Sequence, residues 1–170
     1  MSDHLGFLVD TSILSAFAPG RPAIAEKMAA WMAAQGEAER LFVSVVTVAE
    51  IERGWRKLHR AGGTARARMF SEWLHQLIDL YGDRLLAIDA AIARIAGEME
   101  DRAMASGVHP GFADVLIAAA AQAHRLTLLT ANVRHFLPLG IGCFNPIDEL
   151  PETSLHAPQQ SPGTSGRRSD

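Results

Sequence analysis

The chain is poor in cysteine. Cys143 is the only one in 170 residues, so no internal disulfide can staple the fold. A single thiol accords with a reducing compartment, and a cytoplasmic location is the expectation. Long apolar runs are missing as well. No uninterrupted stretch approaches the ~20 residues that cross a bilayer, and the opening "MSDHLGFLVD" carries acid where a secretory leader has a basic segment. The expectation is a soluble domain with no membrane partner. Nor does one sign of charge dominate: 16 Lys and Arg against 19 Asp and Glu leave −3. Any nucleic-acid contact must therefore use a local basic patch.

Missing motifs narrow the chemistry further. The histidines are scattered and no HExxH occurs, which argues against zinc. There is no GxGxxG and no GxxxxGK[ST], so nucleotide-binding folds lose their main support. No nucleophile elbow stands out, and Cys143 lies in the apolar "IGCF", an inert setting for a thiol. A DxD phosphatase needs an acid at position 12, where Ser12 stands. A phospho-accepting receiver domain needs paired acids after the first strand and a lysine after the fifth; the chain offers a lone Asp10 and no such lysine. No internal repeat is evident.

Five short apolar runs are present and read as strands: 6–9, 41–45, 84–88, 126–130 and 141–144. They lack polar alternation, as strands covered on both faces do. Helical stripes lie between them: Ile24, Met28, Trp31 and Met32; Val48, Ile51, Trp55 and Leu58; Phe70, Trp73, Leu74, Leu77 and Tyr81; Ile92, Ile95, Ala96 and Met99; then the very apolar "ADVLIAAAAQAHR". Pro22 is read as a first-turn residue, and Gly36, Gly82 and Gly107 as helix ends. Strands alternating with helices predict an α/β fold with a central, mainly parallel sheet of about five strands between helical layers. Residues 1–150 form the domain. The remaining "PETSLHAPQQSPGTSGRRSD", 151–170, is rich in Pro, Ser, Gly and Gln, and reads as a disordered tail.

In such a sheet, loops leaving the carboxyl ends of strands gather at one edge, where ligands bind. Asp10 ends the first strand, Glu50 follows the second in the first turns of its helix, and Asp114 opens the helix leading to the fourth. Thr130 and Asn132 follow the fourth. Each has a bland reading: Asp10 and Asp114 as helix caps, Glu50 as a solvated helix residue, Thr130 and Asn132 as turn residues. Together they point to an acidic cluster, which is tolerable only around a positive ion. Hard cations such as Mg²⁺ or Mn²⁺ suit it, because they prefer oxygen ligands. Glu52 reads as an exposed helix residue and Asp89 as an N-cap. Downstream, "ERGWRKLHRAGGTARAR" is the one clear basic segment, and Arg53, Arg56, Lys57 and Arg60 are candidates for nucleic-acid phosphates.

Four blocks, "LVDTS" at 8–12, "VTVAEIERG" at 46–54, "ADVLIAAAA" at 113–121 and "LLTANVRHF" at 128–136, resemble in order and spacing the signatures of PIN-domain nucleases. The likeness is to the VapC/FitB-type toxins of type II toxin–antitoxin pairs and covers about residues 6–147. It implies a PIN-like three-layer α/β/α fold and a Mg²⁺- or Mn²⁺-dependent endoribonuclease. Asp10, Glu50 and Asp114 would be its catalytic and metal-binding acids, with Thr11, Thr130 and Asn132 in support. It also implies an RNA substrate, a cognate antitoxin and a homodimer. Asn132 stands where many PIN domains carry a fourth acid, and no acid directly precedes Asp114 in "VHPGFAD". The alternative is a catalytically weak PIN-fold module acting through antitoxin binding and dimerisation.

Overall fold

The computed structural model describes residues 6–150; the 151–170 tail expectation falls outside them. Five strands form the sheet: β1 (Phe7–Val9), β2 (Leu41–Ser44), β3 (Leu85–Leu86), β4 (Thr127–Leu129) and β5 (Cys143–Phe144). Their order is β3-β2-β1-β4-β5, and every pairing is parallel. Seven α-helices connect them: α1 (Thr11–Leu14), α2 (Glu26–Glu37), α3 (Val45–Arg60), α4 (Thr64–Tyr81), α5 (Ala90–Ala105), α6 (Phe112–Ala123) and α7 (Val133–Phe136).

Side-chain alternation along the strands divides the core in two. Leu8, Leu86 and Leu128 point to one face, where α5, α6 and α7 contribute Met99, Ile117 and Phe136. Val9, Val43 and Leu129 point to the other, against Ile13, Met28, Ile51 and Leu74 of α1 to α4. Both faces are covered, which is why the strands read as plain apolar runs. In α6, Ala118 to Ala121 are fully buried. Such small side chains let α6 lie close to its neighbour α5 and to the sheet.

Helix ends follow local chemistry, with two corrections. Gly82 (φ 46°) and Gly107 (φ 77°) take the left-handed positions after α4 and α5, and Asp89 Oδ1 accepts from Ile92 N at 2.8 Å to cap α5. Gly36, however, lies inside α2, and Glu39 adopts the left-handed turn (φ 54°). Asparagine or glycine is the usual occupant there, so an acid gave no signal. Pro22 precedes α2 by a short loop instead of entering its first turn, because α2 starts only at Glu26. No helix among the described residues is long and apolar enough to cross a membrane.

Candidate active site

Strand order reverses at β1: the chain steps to β2 on one side and returns through β4 on the other. Crevices form at such switch points, beyond the carboxyl ends of the strands. Asp10 follows β1 there and Thr130 follows β4.

Asp10 is 4% exposed. It is the N-cap of α1, with Oδ2 accepting from Ser12 N at 3.4 Å. The same oxygen accepts from Ser12 Oγ at 2.6 Å and Thr130 Oγ1 at 2.8 Å. No hydrogen bond among the described residues reaches Oδ1. A buried carboxylate costs free energy unless it is bonded, and here hydroxyls meet the need on one oxygen only. Fully buried Thr130 in turn accepts from Asn132 N at 3.0 Å, and Ser12 Oγ accepts from Ala131 N at 3.0 Å. The ends of β1 and β4 are thus sewn together by two hydroxyl side chains. The cap reading and the functional reading of Asp10 coincide in one side chain.

Glu50 is half-buried in the second turn of α3, where Oε2 accepts from Thr11 Oγ1. Thr11 is the residue after Asp10, so this bond ties the α3 acid to the end of β1. Asp114 lies in the first turn of α6, but Gly111 is the N-cap and Asp114 makes no cap bond. The cap reading of Asp114 therefore fails. Burial, and then the negative charge of Asp10, raise its pKa above the ordinary carboxylate value; His135, with Nδ1 at 3.4 Å from Oδ2, pulls the other way. Asp10 and Asp114 are thus near enough to feel each other. Among the described residues, no three His, Cys, Asp or Glu side chains converge closely enough to hold a metal ion. Like charges at one edge repel, and any tighter gathering must overcome that.

Asn132 is exposed at the start of α7 and makes no side-chain cap bond. On α3, Arg53, Lys57 and Arg60 are exposed. Arg56 is engaged: it pairs with Glu52 and its guanidinium lies 4.6 Å from the Trp55 ring centre, while Glu52 also accepts from Trp55 Nε1 at 2.6 Å. The pair has a local cause, since the i,i+4 spacing of Glu52 and Arg56 places them on one helix face. Sequence reasoning missed Ser12 as a partner of Asp10, and missed His135. Ser12 was treated only as an absent acid, although a hydroxyl two residues after a cap residue is well placed to bond it. His135 lies three residues past Asn132, one turn along a helix too short to show periodicity. The Cys143 thiol is pushed up by burial, in keeping with an inert residue.

Residues 7–137 match the PIN domain family. Toxin FitB of Neisseria gonorrhoeae is 30% identical over 139 residues, 82% of this chain and 96% of its own length. VapC ribonuclease Y4jK of Sinorhizobium fredii is 29% identical over 139 residues, with the same two shares. Among solved structures, FitAcB from Neisseria gonorrhoeae superposes with a TM-score of 0.70 at 30% identity, covering 82% of this chain and 97% of that one. A structure of FitAB bound to an IR36 DNA fragment gives 0.67 at 28%, covering 83% and 95%. Sequence blocks and parallel sheet agree with these likenesses: the chain belongs to the PIN-domain family, among its FitB- and VapC-like toxins.

Proposed function

We propose that this chain is a metal-dependent endoribonuclease, the toxin of a toxin–antitoxin pair, with Asp10, Glu50 and Asp114 as its catalytic acids. The observation that carries the reading is Asp10 itself: a buried carboxylate at the switch point, with Oδ2 saturated by hydroxyls, Oδ1 unbonded, and a second acid close enough to be raised by its charge. A residue kept only as a cap does not need that surplus. The name of the VapC ribonuclease relative lends support.

The donor set fits Mg²⁺ or Mn²⁺. All three candidate ligands are hard oxygens, and a divalent cation would offset the charge they carry together. Asp10 through Oδ1, Glu50 and Asp114 would hold the ion. When bound, such an ion supplies positive charge to phosphoryl oxygens and acidity to an attacking water. The chain's own groups do the rest. Thr130 and Ser12 fix the Asp10 carboxylate in one rotamer, and Thr11 aims Glu50. His135 steadies Asp114, and the exposed Asn132 amide can donate to a phosphate or a water.

The protein partner is an antitoxin, and the copies pair as a homodimer in the cytoplasm. Solved relatives named as FitA–FitB complexes support the first of these. So does an apolar groove of about 350 Å³ between α2 and α4, walled by Met32, Trp73, Leu77 and Tyr81. Leu80 beside it is 67% exposed, the kind of surface a partner covers. A catalytically weak module acting through these contacts is the second reading, favoured by the lack of a tight three-acid cluster among the described residues.

One assay separates the two. Antitoxin-free protein is incubated with structured RNA and Mn²⁺ or Mg²⁺, with and without EDTA, beside Asp10→Asn and Asp114→Asn. Cleavage lost on chelation and in both variants supports the nuclease. Cleavage that survives them, or none from the wild type, overturns it.

A further inference from the structure

Glu50 is half-buried. It forms one wall of a cavity of about 290 Å³ bounded by α1, the loop after it, α3 and α4, with Thr11, Arg21, Trp55, Arg66 and Phe70 among the others. A second hollow, of about 460 Å³, starts at Ser12 and shares Ser15 and Arg21 with the first. The two halves of this trough adjoin at Ser15 and Arg21 and are lined by Ser12 and Thr11, the residues that follow Asp10.

The walls are chemically mixed in a particular way. Arg21 and Arg66 are exposed, and neither makes a salt bridge among the described residues. The Arg66 guanidinium lies 5.8 Å from the Phe70 ring centre. Trp55 is a fixed platform, since Glu52 holds its Nε1 and Arg56 covers its ring. Gly54 leaves the space open: a Cβ added there meets nothing within 4 Å. Two cations with no carboxylate partner among the described residues, two aromatic rings and one acid in the walls of a cavity near the ~300 Å³ lower bound of small-ligand pockets describe one class of occupant. It carries phosphate and a flat base.

We infer that this cavity is a nucleotide subsite of single-stranded RNA, in which Arg21 and Arg66 hold backbone phosphate and an unpaired base lies against Trp55 and Phe70. Bases paired in a helix do not offer their faces, so the subsite selects loops and single strands. The inference deepens the ribonuclease reading and rests on it, because it sets the strand's path relative to Glu50 and Asp10. It also differs from the basic stripe foreseen on α3: Arg53, Lys57 and Arg60 do not wall the cavity.

The test is a binding measurement on the full chain in EDTA, where no turnover intervenes. The probes are a short labelled single-stranded RNA and the same strand annealed to its complement, titrated over a range of salt. Wild type should bind the single strand more tightly than the duplex. Arg21→Ala with Arg66→Ala should weaken single-strand binding about tenfold or more, and lower the log–log salt slope by about 1.4, roughly 0.7 for each lost phosphate contact. Gly54→Leu fills the cavity from a helix position that gains propensity, so it should fold; it should weaken binding about fivefold or more with the slope unchanged. Arg94→Ala on α5, remote from the trough, serves as the control for general charge loss. The inference is overturned if the double variant keeps wild-type affinity and slope, if Gly54→Leu binds like wild type, or if duplex binds as tightly as single strand. RNA cleavage in Mn²⁺ is read separately. Binding effects as expected with no cleavage by wild type sustain the subsite and sink the nuclease reading alone.

Discussion

Thr11 gives its hydroxyl hydrogen to Glu50 across 39 positions of sequence, so the residue beside one candidate acid holds another. The bond links α1 to α3 at the mouth of the switch-point crevice. Its acceptor is a carboxylate, which makes it of the stronger, charge-assisted kind.

Thr11→Val keeps the shape and removes the donor. Hydrogen bonds to charged groups contribute ~1.5–3 kcal/mol. If that energy orients Glu50 for the reaction, kcat for RNA cleavage should fall about 10- to 100-fold. Thr11 and Glu50 are only half-buried, so water can take the place of the lost donor and the melting temperature should move less than that energy implies, while the aim of Glu50 is lost. Thr11→Ser should restore most of the rate. A Thr11→Val enzyme as fast as wild type would show that Glu50 needs no guide.

Thr130 works from the opposite side of Asp10 and is fully buried. Thr130→Val takes one donor from Asp10 Oδ2, which keeps Ser12 Oγ, and leaves the Asn132 N–H without its acceptor. Leaving buried polar groups unpaired costs ~1–3 kcal/mol. For a domain of this size that is a drop of about 3–10 °C in thermal midpoint, with cleavage falling as well. Thr130→Ser should recover both. The contrast with Thr11→Val, active-site loss without melting, is measurable by following tryptophan fluorescence on heating.

Much of this was legible in the sequence, for identifiable reasons. All five strands announce themselves because both faces of a parallel sheet are covered and an apolar run has no polar gaps. The α3 stripe of Val48, Ile51, Trp55 and Leu58 shows because one face meets the core and the other meets water. Strand order was not legible: nothing in "LTLLT" says that β4 lies beside β1. Consequently the bond from Thr130 to Asp10, across 120 positions, was out of reach. Helix ends failed where an unexpected residue took the left-handed turn, Glu39 in place of Gly36. Arg21 escaped notice because an arginine in a loop has no pattern of its own; it gains meaning only when α4 brings Arg66 to the same cavity.

Its own burial, and then the charge of Asp10, disfavour ionised Asp114 in the folded protein. An acid with a raised folded pKa favours folding in its protonated form. That contribution is present below the unfolded carboxylate pKa and is lost as pH rises through the folded value. Metal-free wild type should therefore lose stability relative to Asp114→Asn as pH climbs from the ordinary carboxylate range toward neutrality. His135 limits the effect, since it stabilises the ionised form. Thermal midpoints of both proteins in EDTA across that range give the difference directly. A difference that stays constant, or grows in the wild type's favour, would contradict the placement of Asp114 beside Asp10.

Divalent ions should reverse that penalty. A ligand that binds only the folded state stabilises by mass action, about 2.7 kcal/mol at a hundredfold excess over its Kd. At roughly 2–4 °C per kcal/mol for a chain of this length, Mn²⁺ or Mg²⁺ should raise the melting midpoint of wild type by about 5–10 °C at saturation. Asp10→Asn should lose most of the increment, because Asp10 is the buried acid at the switch point and no hydrogen bond among the described residues occupies its Oδ1. Asp89→Asn provides the contrast: its carboxylate caps α5 through Ile92 N and has no part in the crevice, so the ion-induced shift should persist in full. An equal shift in wild type and Asp10→Asn would mean that the ion binds elsewhere, and the acids at the ends of β1, β2 and α6's approach would need another explanation.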